Sequence, residues 1–353
     1  MKKNILFSTT RQWNPGDEFI LLGIINLLEE VIGEFNPIIY NRNPEVRQYF
    51  NINPFRHSKF CDISFRGKRK LESFFRIGFW DNSFKNEMNL DFIDYVIFAG
   101  SPEWMEGILD PLYEKLQDYN KPILYLGIGS GRKINWDKLK EIYKKVIKKA
   151  KLITVRDYYT YNLLQEVKPY YLPCPAIFSS KKEKKIKKIE KVGLIFSTYK
   201  AVPYNRISGD TYKFIIKLYS KLIQKYDCEF VCHYIDELPE IYSAFDSPIA
   251  HYSYDSKDYI DIYNKFDLVI GPRVHGIGLS ASQGIPGILI SHDQRGDTGK
   301  GFLANIVDIN TNIKDIDKVI TTISSDIEKI NSNLLEYKKI YKNKYISFLK
   351  SVL

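Results

Sequence analysis

The densest set of reactive side chains in this sequence lies in residues 267–297, which read DLVIGPRVHGIGLSASQGIPGILISHDQRGD. Arg273 and His275 stand two apart, directly after the apolar run 268–270 and the breakers Gly271 and Pro272. A guanidinium binds phosphate or carboxylate, and an imidazole exchanges protons near neutral pH. The small residues Gly276, Gly278, Ser280, Ala281, Ser282 and Gly284 follow and Pro286 closes the segment, the pattern of a short helix with its stop signal. A second apolar strand, 287–290, comes at once. Two strands joined by a helix run parallel in one sheet. Ligands of such sheets collect at the carboxyl ends of the strands, where free helix N–H groups favour an anion. Arg273 and His275 fall at that position. A structural ion pair for the arginine and a helix cap for the histidine are the alternative roles. Neither would need Gly271 and Gly276, which let backbone approach a ligand closely.

A second cluster sits near the amino end, where a buried strand at 4–8 and a loop at 9–15 lead through NPGDE into an amphipathic helix over 17–32. Asn14 and Gly16 make the turn. Asp17 either caps the helix or faces the crevice as a base for a sugar hydroxyl, and local signals support both roles. Further strands are expected at 37–42, 95–99, 122–126 and 152–155, with helices at 110–119, 135–150 and 158–167. Three of those strands end in unusual residues: GSPEW at 100–104, GIGSG at 127–131, and Arg156 with Asp157. Such turns converge on one rim of a parallel sheet.

The elements restart after KKEKKIKKIEK at 181–191, read as an exposed linker because so many like charges resist packing. Strands at 192–196, 229–234 and 249–252 and helices at 211–226 and 259–266 then lead into the opening unit. The expected architecture is α/β. Residues 1–180 form a Rossmann-like domain with an irregular insert at 43–89, and residues 192–314 form a second one facing it across a cleft. A helical tail over 315–353 crosses back to the first domain.

Composition narrows the function classes. With 353 residues, 44% hydrophobic and 14% aromatic, the chain can build real cores, and its length fits two domains at about 150 residues each. The net charge of +10 favours acidic small molecules, anionic lipid or nucleic acid. Lys2 and Lys3 precede only a short apolar run, and the longest one, 19–28, is interrupted by Gly23 and Asn26. Neither is a secretion signal nor a membrane span of about 20 residues, so a cytoplasmic protein is expected. Cys228 and Cys232 lie in an apparent strand that spaces them roughly 13 Å apart, too far to share one metal, and no metal site is expected.

Together NPGDE, the strand with Gly127 to Gly131, LITVRDYYT with Arg156 and Asp157, and above all PRVHG followed by QGIPGILI resemble the polysaccharide pyruvyl transferase family. The resemblance implies two facing Rossmann-like domains of GT-B type. It also implies transfer of pyruvate from phosphoenolpyruvate to a sugar as a ketal, with no cofactor. Two departures stand out. AGSPEWM replaces a glycine run after a first-domain strand, and Asp293, Gln294 and Arg295 stand where an Asp and Lys pair is common.

The chemistry itself requires several fixed cations for a donor bearing a carboxylate and a phosphate. Arg273, Arg156 and Arg295 are the candidates, with Lys300 in reserve and His275 as general acid or base. The acceptor would be a free sugar nucleotide, a lipid-linked unit or a polymer.

Two other functions fit the same residues. A nucleotide-sugar glycosyltransferase would use the same facing domains and the same anion-binding helix. The basic and aromatic residues of 56–80, including Arg66, Lys68, Arg69, Lys70, Phe74 and Trp80, could instead touch an anionic membrane face or RNA, though specific nucleic-acid binding is not expected.

Overall fold

The computed structural model describes residues 2–10, 14–42, 89–102, 104, 107, 109–130, 134–200 and 206–353. All of the basic, aromatic segment 43–89 except Asn89 therefore lies outside the described residues, as do Glu103 and Gly131 of the two glycine-bearing turns.

The apolar runs assemble into two sheets of six strands, each strand parallel to its neighbours. The first contains β1 (Lys3–Thr9), β2 (Phe35–Asn41), β3 (Tyr95–Ala99), β4 (Ile123–Ile128), β5 (Leu152–Val155) and β6 (Tyr170–Tyr171), in the spatial order β2-β1-β3-β4-β5-β6. The second contains β7 (Lys191–Ile195), β8 (Asp227–Val231), β9 (Ala250–His251), β10 (Leu268–Gly271), β11 (Gly287–Ile290) and β12 (Asn305–Val307), in the order β12-β11-β10-β7-β8-β9. Helices cover both faces of each sheet, which is why β3 and β4 read as unbroken apolar runs and are buried throughout. The expected pair of doubly wound domains is present. Chain direction reverses between β1 and β3 in the first sheet and between β7 and β10 in the second, and such switch points open a crevice at the strands' carboxyl ends.

Helix α1 (Pro15–Ile32) begins two residues earlier than the sequence suggests, because Pro15 carries a φ already suited to a first helical turn. Its cap is Asn14, whose Oδ1 accepts from Gly16 N at 3.0 Å. That removes the capping role considered for Asp17. The other helices of the first domain are α2 (Asp110–Leu116), α3 (Glu141–Lys149) and α4 (Tyr158–Leu163). The single helix expected over 135–150 is divided into a 3₁₀ turn, Trp136–Lys138, and α3. Leu139 and Lys140 between them are extended, which turns Leu139 into the core.

The second domain holds α5 (Gly209–Leu222), α6 (Glu237–Ala244), α7 (Asp258–Asn264) and α8 (Val274–Ser282). Two helices close the chain: α9 (Ile313–Ser325) and the 26-residue α10 (Ile327–Val352). No helix among the described residues is long and apolar enough to cross a membrane.

The charged segment 181–191 is not a free linker. Ile186 is buried in the core, Lys184 N donates to Gln283 O at 2.8 Å, and Lys184 Nζ pairs with Asp267 at 2.8 Å. Its lysines find partners at the domain edge while the interspersed isoleucines pack. Helix α10 lies along α1 and ties both domains. Lys338 Nζ donates to Ser180 O at 3.0 Å and Ser282 O at 2.6 Å, and Tyr345 Oη donates to Pro173 O at 2.9 Å.

A 3₁₀ turn at Pro175–Phe178 packs so closely on α1 that a Cβ at Gly23 would stand 1.8 Å from Pro175 O. Gly23→Ala should therefore destabilise the protein by about 1–3 kcal/mol. Gly209→Ala, at the open start of α5 with nothing within 4 Å of its Cβ, should be neutral or slightly stabilising. Urea unfolding of the two variants compares them, and equal effects would remove close packing as the reason for Gly23.

Candidate active site

The first turns of α1 and α8 meet across the crevice between the domains. A Cβ on Gly16 would lie 2.9 Å from His275 Nδ1, so only glycine allows this approach. Residues 15–18 of α1 and 274–276 of α8 are all buried. Two helix N-termini, each a positive dipole end, thus face one enclosed space; Asn14 meets the first-turn N–H groups of α1, whereas α8 has no side-chain cap.

His275 is the residue they enclose. Its side chain is buried, and Nε2 has no hydrogen-bond partner among the described residues. Burial, followed by the charges of Arg156 and Arg295 and by His233, pushes the imidazole well below its ordinary pKa. An imidazole held that low is neutral at pH 7.

Arg156 enters from the end of β5, with Nη1 donating to Gly127 O at 3.4 Å. A Cβ on Gly100 would stand 3.6 Å from that Nη1 and 3.9 Å from Asp17 Oδ1, and one on Gly129 would stand 2.7 Å from Arg156 Nε. The ends of β3, β4 and β5 therefore do converge, as their residues suggested. Asp157 has a local role, capping α4 by accepting from Thr160 N at 2.7 Å. Asp17 is buried and paired with Arg42 at 3.2 Å, and Arg42 also donates to Ser101 O. Arg42 was not legible as a site residue. It ends a short strand, and nothing local says that its side chain turns inward.

Arg273 and His275 diverge. The Arg273 guanidinium turns toward α6, where it pairs with the fully buried Glu237 at 2.5 Å and stacks 4.8 Å from the centre of the Tyr234 ring. Glu237 Oε2 also accepts from His233 N at 2.8 Å and Tyr234 N at 3.1 Å. Burial raises the Glu237 carboxyl, and Arg273 opposes the rise. The ion-pair role weighed for Arg273 is therefore real, and it holds the turn that follows β8. Glu237 and Tyr234 were missed because neither lies near Arg273 in sequence.

Gly276 needs no ligand to explain it. Its Cβ would stand 2.4 Å from Tyr263 Oη and 2.8 Å from Ile195 Cδ1, so the glycine allows α8 to seat on β7 and α7. A Cβ on Gly271 would likewise meet Ile195 at 2.6 Å. The bracket serves packing rather than backbone approach to a ligand.

Arg295, in the 3₁₀ segment Gln294–Phe302 that follows β11, is about a third exposed and held by Asp293, its Nε donating to Oδ2 at 2.8 Å. Lys300 stands apart, 69% exposed in its side chain and paired with Asp297 at 2.7 Å. Asp297 in turn accepts from Tyr158 N at 2.9 Å, joining the two domains. Among the described residues, no group of three or more His, Cys, Asp or Glu could hold a metal ion.

Comparison with known proteins agrees with this architecture. A UDP-N-acetylglucosamine 2-epimerase from Neisseria meningitidis bound to UDP-GlcNAc aligns at 13% identity and a TM-score of 0.51 over 99% of this chain and 100% of that one. A Listeria monocytogenes protein assigned as the same type of epimerase aligns at 14% identity and a TM-score of 0.56 over 99% and 96%. At such identities the likeness is one of fold, the GT-B arrangement. No curated protein matches the sequence. The profile of polysaccharide pyruvyl transferases matches residues 14–294, from the cap of α1 to the loop after β11. That span takes in both crevice-facing helices and every converging strand end, and the chain belongs to the polysaccharide pyruvyl transferase family.

Proposed function

We propose that this protein transfers pyruvate from phosphoenolpyruvate to two hydroxyls of one sugar in a cell-surface glycan or its precursor. The product is a cyclic ketal, and phosphate is released. The observation that carries this reading is the Nε2 of His275, without a partner among the described residues, buried between two helix N-termini and within the field of Arg156 and Arg295.

The reaction balances without a redox cofactor. A proton adds to the methylene carbon of the donor, and the electron-poor central carbon takes the first sugar hydroxyl, which gives up its proton. Phosphate departs with the C–O pair and takes a proton, and the second hydroxyl closes the ring as it loses its own. Arg156, Arg295 and the N-terminus of α8, which no side chain caps and which faces Asn14 and Gly16, suit the donor's carboxylate and phosphate. Asp17, paired with Arg42 on the crevice wall, suits the role of base for a sugar hydroxyl.

Burial holds His275 neutral, and a bound dianion raises its pKa, so donor binding loads the proton that the methylene carbon needs. A free sugar nucleotide, a lipid-linked unit and a polymer remain alternative acceptors. Contact with an anionic membrane face through residues 56–80 would suit a lipid-linked one.

A nucleotide-sugar glycosyltransferase is the second reading. It is favoured by the β7/β10 switch point, which sets the N-terminus of α8 where a diphosphate would fit. Calorimetry with phosphoenolpyruvate, UDP, GDP and CMP separates the two. Phosphoenolpyruvate should bind with uptake of a proton, seen as a heat that varies with buffer ionisation enthalpy. His275→Ala should abolish the uptake and reduce turnover by about 10² to 10⁴ while leaving affinity largely intact. Binding of nucleotides alone, with no phosphoenolpyruvate binding even to the nucleotide complex, would reject the pyruvyl reading.

Arg295→Ala should weaken phosphoenolpyruvate about 10-fold to 100-fold, because a charged hydrogen bond is lost. Arg273→Ala should act chiefly on stability, lowering it by about 3–5 kcal/mol because Glu237 is left charged and unpaired. Adding Glu237→Gln should restore a large part of that loss in denaturant unfolding. No rescue would mean that the pair is not what holds the turn.

A further inference from the structure

Tyr234 follows the end of β8, on the second-domain wall of the crevice, and its setting is unusual for a buried tyrosine. The residue is 4% exposed, and its hydroxyl has no hydrogen-bond partner among the described residues. A buried phenol normally finds one, because an unmet donor loses its water contacts without replacement.

Nothing in the local backbone leaves this side chain loose. The N–H groups of His233 and Tyr234 both donate to Glu237 Oε2, and the Arg273 guanidinium lies 4.8 Å from the ring centre. The ring is therefore fixed at both ends of its environment, and only the hydroxyl is left over. Arg273 is the residue that opens α8, so its guanidinium over the ring sets Tyr234 beside that N-terminus, and the charges of Arg273, Glu237, Asp17 and Arg295 reach the phenol. Burial keeps the phenol protonated, so it can donate and carries no charge.

We propose that the Tyr234 hydroxyl is a substrate-contacting donor that hydrogen-bonds a phosphoryl oxygen of the anion held between the N-terminus of α8 and Arg295. The identity of that anion as phosphoenolpyruvate rests on the function proposed above; the contact to phosphate does not. A neutral, rigid donor suits an oxyanion, because it adds a hydrogen bond without adding another cation to a crevice that already holds Arg156 and Arg295. It also needs no reorganisation when ligand arrives, since Arg273 and Glu237 fix the ring beforehand. On leaving, the phosphate would keep this bond as its charge grows, so the contact strengthens along the reaction.

Tyr234→Phe removes the hydroxyl and nothing else. The test is calorimetry of wild type and Tyr234→Phe with inorganic phosphate, phosphoenolpyruvate, pyruvate and UDP, beside thermal unfolding of both proteins. The expected result is affinity for phosphate and phosphoenolpyruvate lower by about 10-fold or more in the variant, with an unfolding temperature equal to or above wild type. Pyruvate, which lacks the phosphoryl group, should bind the two proteins alike.

Unchanged phosphate and phosphoenolpyruvate affinity in Tyr234→Phe would overturn the proposal. So would a lower unfolding temperature with weaker binding of all four ligands, which would make Tyr234 a packing residue. If wild type binds phosphate and UDP but not phosphoenolpyruvate, the donor assignment falls. The tyrosine is then judged by phosphate and UDP alone, with weaker binding of both in the variant supporting the contact and equal binding refuting it.

Discussion

The close approach of α1 to the second domain is the constraint on which the remainder of the structure depends. Gly16 gives His275 room, Glu18 Oε2 accepts from Ser256 Oγ at 2.8 Å, and Phe19 packs edge-on against His233, Tyr259 and Tyr263. One turn further on, Gly23 admits the backbone of Pro175, and Asn26 Nδ2 donates to Phe178 O at 2.8 Å. A first-domain helix thus buries its N-terminal half against second-domain rings, and full burial of Phe19 alone contributes about 1.5–3 kcal/mol. Because the contact runs along the helix, it fixes direction as well as distance. Both crevice-facing helices then present their N-termini to the same space.

That arrangement sets the electrostatics. Burial holds the His275 imidazole well below its ordinary pKa, the charges of Arg156 and Arg295 push the same way, and the ring stays neutral. Arg273 is relieved of the same conflict by Glu237, which takes up its charge on the far side of α8's first turn. Asp17 and Arg42 form a comparable pair on the first-domain wall. The crevice is therefore lined by groups that are either paired within the protein or directed inward, and the net positive potential belongs to those directed inward. Under the proposed function an anionic donor would supply a counter-charge there and raise the pKa of His275.

Helix α10 secures the frame from outside. Its Lys338 reaches backbone carbonyls of both Ser180 and Ser282, Asn331 Nδ2 donates to Lys184 O and Gly284 O at 2.8 Å each, and Tyr95 Oη donates to Leu353 O at 3.0 Å. These bonds satisfy carbonyls where the chain passes between the domains and where α8 ends, so that neither place is left with unmet backbone groups in a dry environment. The burial of Ile186 belongs to the same contact region.

The order of most strands and helices was legible because it rests on local periodicity, whereas the short β6, β12 and α6 were not anticipated. Apolar runs of four to seven residues became parallel strands, and RVHG before a small-residue run became the buried α8. Breakers and caps were legible only in part. Pro286 ended its segment as expected, whereas Asn14 displaced Asp17 as the cap once Pro15 started the helix early. The break at Leu139 answers to a core that no local signal describes.

The sequence by itself thus determined the elements, their parallel pairing through crossover helices, and the presence of an arginine and a histidine at a strand end. Only the tertiary structure decided which side chains share a space. Arg273 turned away to Glu237, Gly276 served packing, Lys300 stayed at the rim, and Arg42 and Tyr234 came in unannounced. The physical reason is that a residue's helical or strand character follows from neighbours a few positions away. The partner of a buried charge or hydroxyl is chosen among groups tens to hundreds of residues distant, by desolvation that exists only after the domains have closed on one another.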